Sequence, residues 1–209
     1  MKFQRKTTFY PFPVWEFNLP AGHSCPFANV CKICVDRETG KFERKGDGFR
    51  CYAASAERFP GVRKSRWENF EAVKMGEKPE IPKGATHIRI HSSGDFFSQR
   101  YFDMWLEVCR ENPGVKFWAF TKSVNFWVRR LNDIPSNLTL QASKGGFQDE
   151  LIDVYNLKYA EVFPDEESAL KSGLPIDTND LCAMEGKQSF ALIDNFSKNG
   201  KRRNQEDSH

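Results

Sequence analysis

Four of the six cysteines fall in one stretch, Cys25, Cys31, Cys34 and Cys51, with the spacing Cys-x5-Cys-x2-Cys-x16-Cys. Clustered thiols in a reducing compartment read first as metal ligands, because neighbouring thiolates need a cation to offset their charge. Zinc and iron–sulfur clusters both supply that cation. A zinc ribbon uses a second Cys-x2-Cys, which Cys51 does not complete, so iron–sulfur is favoured and zinc is the alternative. His23, two residues before Cys25, is a loop histidine or a zinc ligand. Cys109 stands alone on an apolar helical face and reads as core, and Cys182 reads as inert or as a late ligand.

A second set of polar residues sits where apolar runs stop. His91-Ser92-Ser93-Gly94-Asp95 follows Thr86 to Ile90, and Asp95 can accept a hydrogen bond from a ligand or cap the helix that follows. Lys122 follows Val115 to Phe120 and can pair with a carboxylate or phosphate, or simply be solvated. Gln141 and Ser143 close the next run, and Ser143-Lys144-Gly145-Gly146 offers amides to an anion. Arg58, Arg63, Lys64 and Arg66, with Trp67, form a basic helical patch, read either as a phosphate contact or as a solvated face.

The elements that must hold these residues alternate. Strands are expected at Val14–Leu19, Thr86–His91, Val115–Phe120, Leu138–Ala142, Tyr159–Phe163 and Ser189–Ile193. Helices are expected from Tyr52 to the Pro60-Gly61 break, from Val62 to Gly76, from Ser98 to Glu111, and around Phe126. Alternation of this kind makes βα units with a parallel sheet. Sites in such sheets lie at the carboxyl ends of the strands. The cysteine loop hangs from the first strand, so the thiols and the polar strand ends face one mouth. The chain is short for eight βα units, so the expected fold is an open, partial (βα) barrel of α/β class, one domain over 1–196. Residues 37–48 read as an exposed excursion and 197–209 as a basic, disordered tail.

Composition narrows the class. The 209 residues are 39% hydrophobic, 28% charged and 14% aromatic, with 19 Phe and 5 Trp, which excludes disorder over most of the length. No run of eighteen apolar residues is present, and Met1 to Thr8 lacks the apolar centre of a signal peptide, so neither membrane span nor export is expected. The net charge of +3 does not force nucleic-acid binding.

Several phrases carry a resemblance. Asn18-Leu19-Pro20-Ala21-Gly22, Cys25-Pro26, Phe49 to Ser55, Arg66-Trp67-Glu68-Asn69-Phe70 and His91 to Phe97 together resemble a phage family, gene product eighty-eight. A thiolate loop after the first strand also resembles radical S-adenosylmethionine enzymes, whose usual motif is Cys-x3-Cys-x2-Cys. Here Cys31-x2-Cys34 supplies the short spacing, but Cys25 is five residues upstream. Cys51-Tyr52-Ala53, Ser93 to Phe97 and Phe120-Thr121-Lys122 further resemble, in order, phrases of phage proteins of that type, a mapping that makes Cys51 the last ligand. The resemblance implies a 4Fe-4S cluster on Cys25, Cys31, Cys34 and Cys51, with three ligands leaving an iron open and four closing it. It implies S-adenosylmethionine held by Ser92, Ser93, Gly94, Asp95, Gln141 and Ser143, with Asp95 and Lys122 as catalytic candidates. It further implies an electron donor, a nucleotide or nucleic-acid substrate, and residence in the host cytoplasm. The competing expectation is a non-enzymatic module, stapled by zinc or a closed cluster, that binds nucleic acid or a partner protein.

Overall fold

The computed structural model describes residues 1–31, 33–44 and 51–194. The expected tail, the end of the excursion (45–48) and the Phe49-Arg50 part of the resemblance lie outside the described residues.

The elements run β1 (Phe3–Lys6), β2 (Val14–Phe17), β3 (Ile33–Val35), β4 (Phe42–Arg44), α1 (Tyr52–Ser55), α2 (Pro60–Met75) and β5 (His87–Ile90). They continue with α3 (Gln99–Glu111), β6 (Lys116–Thr121), α4 (Val124–Val128), β7 (Leu138–Ser143), α5 (Glu150–Val154) and β8 (Tyr159–Phe163). Helices α6 (Glu166–Lys171) and α7 (Leu181–Glu185) precede β9 (Phe190–Ile193). The main sheet has seven strands in the order β1-β2-β5-β6-β7-β8-β9. All neighbours are parallel except β1, which pairs antiparallel with β2. The parallel strands therefore lie in chain order with no reversal, and the sheet stays open between β1 and β9. Right-handed crossovers between strands in this order put the connecting helices on one face.

Strand alternation then sorts the side chains. Phe17, Ile88, Ile90, Phe117, Ala119, Leu138, Leu140 and Ala142 point to the helices and join Phe70, Phe102, Trp105 and Trp127 in the main core. Val14, Trp118, Ala160 and Phe190 point the other way, where Tyr10 and α7 (Ala183, Met184) cover them. α3 is set by its sequence: Ser98 caps it by accepting from the Tyr101 amide, and Phe102, Trp105, Leu106 and Cys109 repeat at helical spacing. α2 starts on Pro60, a favoured first helical residue, and stops at Gly76 with φ 93°. The expected break at Pro60-Gly61 is thus a helix start.

Part of the excursion is structured. β3 and β4 form a hairpin whose turn is held by Asp36, which accepts from the Thr39 amide and hydroxyl. Cys34 lies on β3.

Candidate active site

The loop that follows β2 is bolted down before it reaches its first cysteine. Leu19 and Ser93 exchange hydrogen bonds: the Leu19 amide donates to Ser93 O, and Ser93 Oγ donates back to Leu19 O at 2.9 Å. The Ser93 amide donates to Asn18 Oδ1. Gly94, at φ 90°, permits the approach: a Cβ there would lie 2.6 Å from Leu19 Cβ and Ser24 Oγ. The Ala21 amide donates to Glu57 Oε1 at 2.7 Å, and Glu57, fully buried, pairs with Arg66 at 2.9 Å. Further along, Asn29 and Val30 donate their amides to Gly145 O, which ties the cysteine loop to the end of β7.

These ties deliver Cys25, Cys31 and Cys51 to one cavity of about 960 Å³ at the carboxyl ends of the parallel strands. Cys34 is not among its lining residues. It is buried beside Gly22, where an added Cβ would come within 2.8 Å of its sulfur. The four-cysteine cluster of the sequence thus divides into three and one. Burial pushes the Cys25 thiol well up, and the charges of Asp95, Cys51 and Cys31 add to the effect. Cys51 is raised by burial and by Cys31, while Lys122 opposes the rise. Among the described residues no group of three or more His, Cys, Asp or Glu side chains stands at metal-holding geometry. The three thiols are neighbours around a space.

Asp95 is 5% exposed and multiply bonded. Its Oδ1 accepts from the Phe96 amide and from Thr121 Oγ1, and its Oδ2 accepts from the Lys122 amide at 2.8 Å. Ser98, not Asp95, caps α3, so the capping role expected for Asp95 is corrected: the carboxylate clamps the end of β6. Burial raises its pKa, against the pull of those three donors and the Lys122 charge. Lys122 is 8% exposed, lines the cavity, and donates to Ser143 Oγ at 2.6 Å. It makes no ion pair among the described residues.

The remaining expected residues separate. Ser92 and Ser93 line the cavity, but the Ser93 hydroxyl is spent on Leu19, and Ser92 O accepts from Tyr52. Gln141 is fully buried on the cavity side of β7 but is not among the cavity's lining residues, and neither of its amide atoms has a partner among the described residues. The glycine-pair cradle is filled by the chain itself, because the Gly145 and Gly146 amides donate to Asp149. The basic patch is also corrected. Arg63 and Arg66 are 8% and 7% exposed, and they donate to the carbonyls of Arg37, Glu38, Glu57 and Ala53. His23 is a loop histidine, bonded to Val35 O and packed against Trp67. Cys109 is core, and Cys182, on α7, packs against the smaller core cluster around Trp118 and Phe190.

Below the thiols lie residues that the sequence reading passed over. Arg89 pairs with Asp180 at 2.8 Å and donates to the hydroxyls of Tyr10 and Tyr52. Trp118 Nε1 and the Tyr10 hydroxyl also donate to Asp180. Glu16 stands beside Arg89 on the neighbouring strand. The signal was present: Trp15-Glu16-Phe17 and Ile88-Arg89-Ile90 each place a charge inside an apolar strand.

The chain matches the Gene product 88 family over residues 2–208. It belongs to that family. Gene 88 protein of Mycobacterium phage L5 is 46% identical over 52 residues, which is 25% of this chain and 20% of that protein. Gene 88 protein of Mycobacterium phage D29 is 44% identical over 50 residues, 24% of this chain and again 20% of that protein. The matched stretch thus spans a fifth of each curated relative. No solved structure matches. Among the described residues, no helix of this family member is long and apolar enough to cross a membrane.

Proposed function

We propose that the chain is an iron–sulfur protein of radical S-adenosylmethionine-like type, built on an open partial barrel, with Cys25, Cys31 and Cys51 as ligands of a 4Fe-4S cluster. One observation carries this reading: three thiols line a single cavity at the carboxyl ends of strands in chain order, and the fourth, buried on β3, is not in its lining. Three ligands would leave one iron free for the amino and carboxylate groups of S-adenosylmethionine. The donor set fits, since sulfur is the ligand such clusters take. Burial and mutual charge raise the Cys25 and Cys51 thiols in the metal-free chain, so ligation must release protons and compensate the thiolates.

Cys25, Cys31 and Cys51 would hold the cluster, which when bound would supply one-electron reductive chemistry towards S-adenosylmethionine. The chain's own residues bind and orient. Lys122 Nζ, held by Ser143, is the cation for a carboxylate, and Asp95 fixes its backbone. Phe120, Val162 and Leu192 give the cavity apolar lining. An electron donor would be the protein partner, and a nucleotide or nucleic-acid substrate suits a phage family. Zinc on the same thiols is the competing reading.

Anaerobic loading separates them. The proposal expects about four iron and four sulfide per chain, with 5′-deoxyadenosine released on adding S-adenosylmethionine and reductant. Cys51→Ala should lose the iron and Cys34→Ala should keep it. One zinc without sulfide, or iron lost equally in both variants, overturns the assignment.

A further inference from the structure

The cavity extends below the thiols to a floor that the proposed chemistry leaves unused. At about 960 Å³ it lies near the upper end of ligand pockets, with room for a second small molecule beside a cofactor. Glu16 and Arg89 are register partners on β2 and β5 and both line it. Glu16 is 5% exposed, yet its one hydrogen bond among the described residues is a long one, 3.4 Å from Asn18 Nδ2. A carboxylate this buried is costly without good hydrogen bonds or a cation. The neighbouring cation is already engaged, because Arg89 pairs with Asp180. Arg89 Nε, in turn, has no acceptor among the described residues. Apolar side chains complete the lining: the Arg89 guanidinium lies over the Phe120 ring, 5.2 Å from the ring centroid, and Ile176, Val162 and Leu192 add to it.

The floor therefore offers two carboxylate oxygens beside a guanidinium donor, with aromatic and aliphatic side chains in the same lining. Its complement is a planar ring with two adjacent N–H donors followed by a carbonyl, which is the Watson–Crick edge of guanine. We propose that the cavity floor binds a guanine-type base, with Glu16 accepting from the ring N–H and the exocyclic amine and Arg89 donating to the carbonyl. This deepens the proposed function by naming the substrate class. It rests on that reading for the fate of the base, but not for its binding.

The test is equilibrium binding to the full chain, before and after anaerobic loading with iron and sulfide, followed by tryptophan fluorescence or calorimetry. The probes are guanosine, inosine, adenosine, GMP and single-stranded oligonucleotides with and without guanine. Guanosine should bind about tenfold tighter than inosine, which lacks the amine, because a polar site penalises an unmet partner. Adenosine should bind weaker still. The arms with GMP and oligonucleotide show whether the base is taken free or within a strand, and guanine preference in any arm supports the proposal. Glu16→Gln should cut guanosine affinity about tenfold and erase the preference over inosine. Should that variant fail to fold, the probe series on the unaltered chain still decides. Equal binding of guanosine, inosine and adenosine, or none in every arm, overturns the floor site. Selective guanosine binding by a chain that takes up no iron would instead overturn the cluster and leave the floor site standing.

Discussion

The two faces of the main sheet are made from the same strands and differ in kind. Towards the helices, alternate residues are apolar without interruption, from Phe17 and Ile88 through Phe117 to Leu140. Towards the cavity, the intervening positions carry Glu16, Arg89 and Gln141 among Trp118, Phe120 and Leu192. A period of two along each strand therefore separates the uninterrupted apolar core from the face that carries charged and amide side chains beside the cavity. Substitutions on the first face should act on stability, and substitutions on the second mainly on binding.

The largest expected effect lies on the helix-covered face. Trp105 is fully buried and meets Phe17 and Phe117 edge-on, so Trp105→Ala should cost about 4 kcal/mol, read from urea midpoints. Next comes the brace under the cysteine loop. Arg66→Ala leaves Glu57 buried without its cation and should cost about 3 kcal/mol in the same measurement. A loss as small as a surface ion pair gives would show that Glu57 finds another partner. The third effect depends on pH. Burial lowers the His91 pKa to about 3, so the unfolded chain takes up a proton below about 6.5 that the folded chain refuses. Stability should fall by about 1.4 kcal/mol per pH unit as pH drops through that window. His91→Asn, which tolerates the left-handed φ of 63° at this position, should flatten the slope between pH 6 and 4.5. The smallest effect has the opposite sign. Gln141→Leu removes two unpartnered amide atoms from the cavity face and should raise stability by about 1 kcal/mol. A loss there would mean that the amide has a partner in solution.

Much of the frame was legible because it is local. All six parallel strands were expected close to where they form, since Val14 to Phe17 or Lys116 to Thr121 carry their own β-branched and aromatic signal. Ser98 and Gly76 marked helix ends through capping chemistry alone. β1 was not legible: Phe3-Gln4-Arg5-Lys6 has one apolar residue and is a strand only because β2 offers it an edge. The site was half legible. Cysteine spacing found the loop, but it could not separate Cys34, whose place on β3 beside Gly22 leaves it outside the cavity lining. The arginines of α2 and the glycine pair after β7 misled for one reason: their partners, Glu57, the loop carbonyls and Asp149, are chosen by tertiary packing. Arg89 and Asp180, 91 residues apart in the chain, left only the mark of a charge in an apolar run.

The cavity floor joins the two ends of the chain, for Tyr10 bonds Asp180 across 170 residues. Synthesis runs from the amino end, and early domains begin to fold as they emerge. The thiols and five of the six parallel strands are therefore made before α7 and β9 exist. During that interval the face that carries Trp118 and Ala160 has Tyr10 but lacks the α7 part of its cover, and the thiols are reachable from below. Chains stalled before Asp177 should be cut readily by protease at this stage, and resistance would show that the sheet closes without its floor. On this order of events, access to the thiols from below narrows once α7 and β9 are in place.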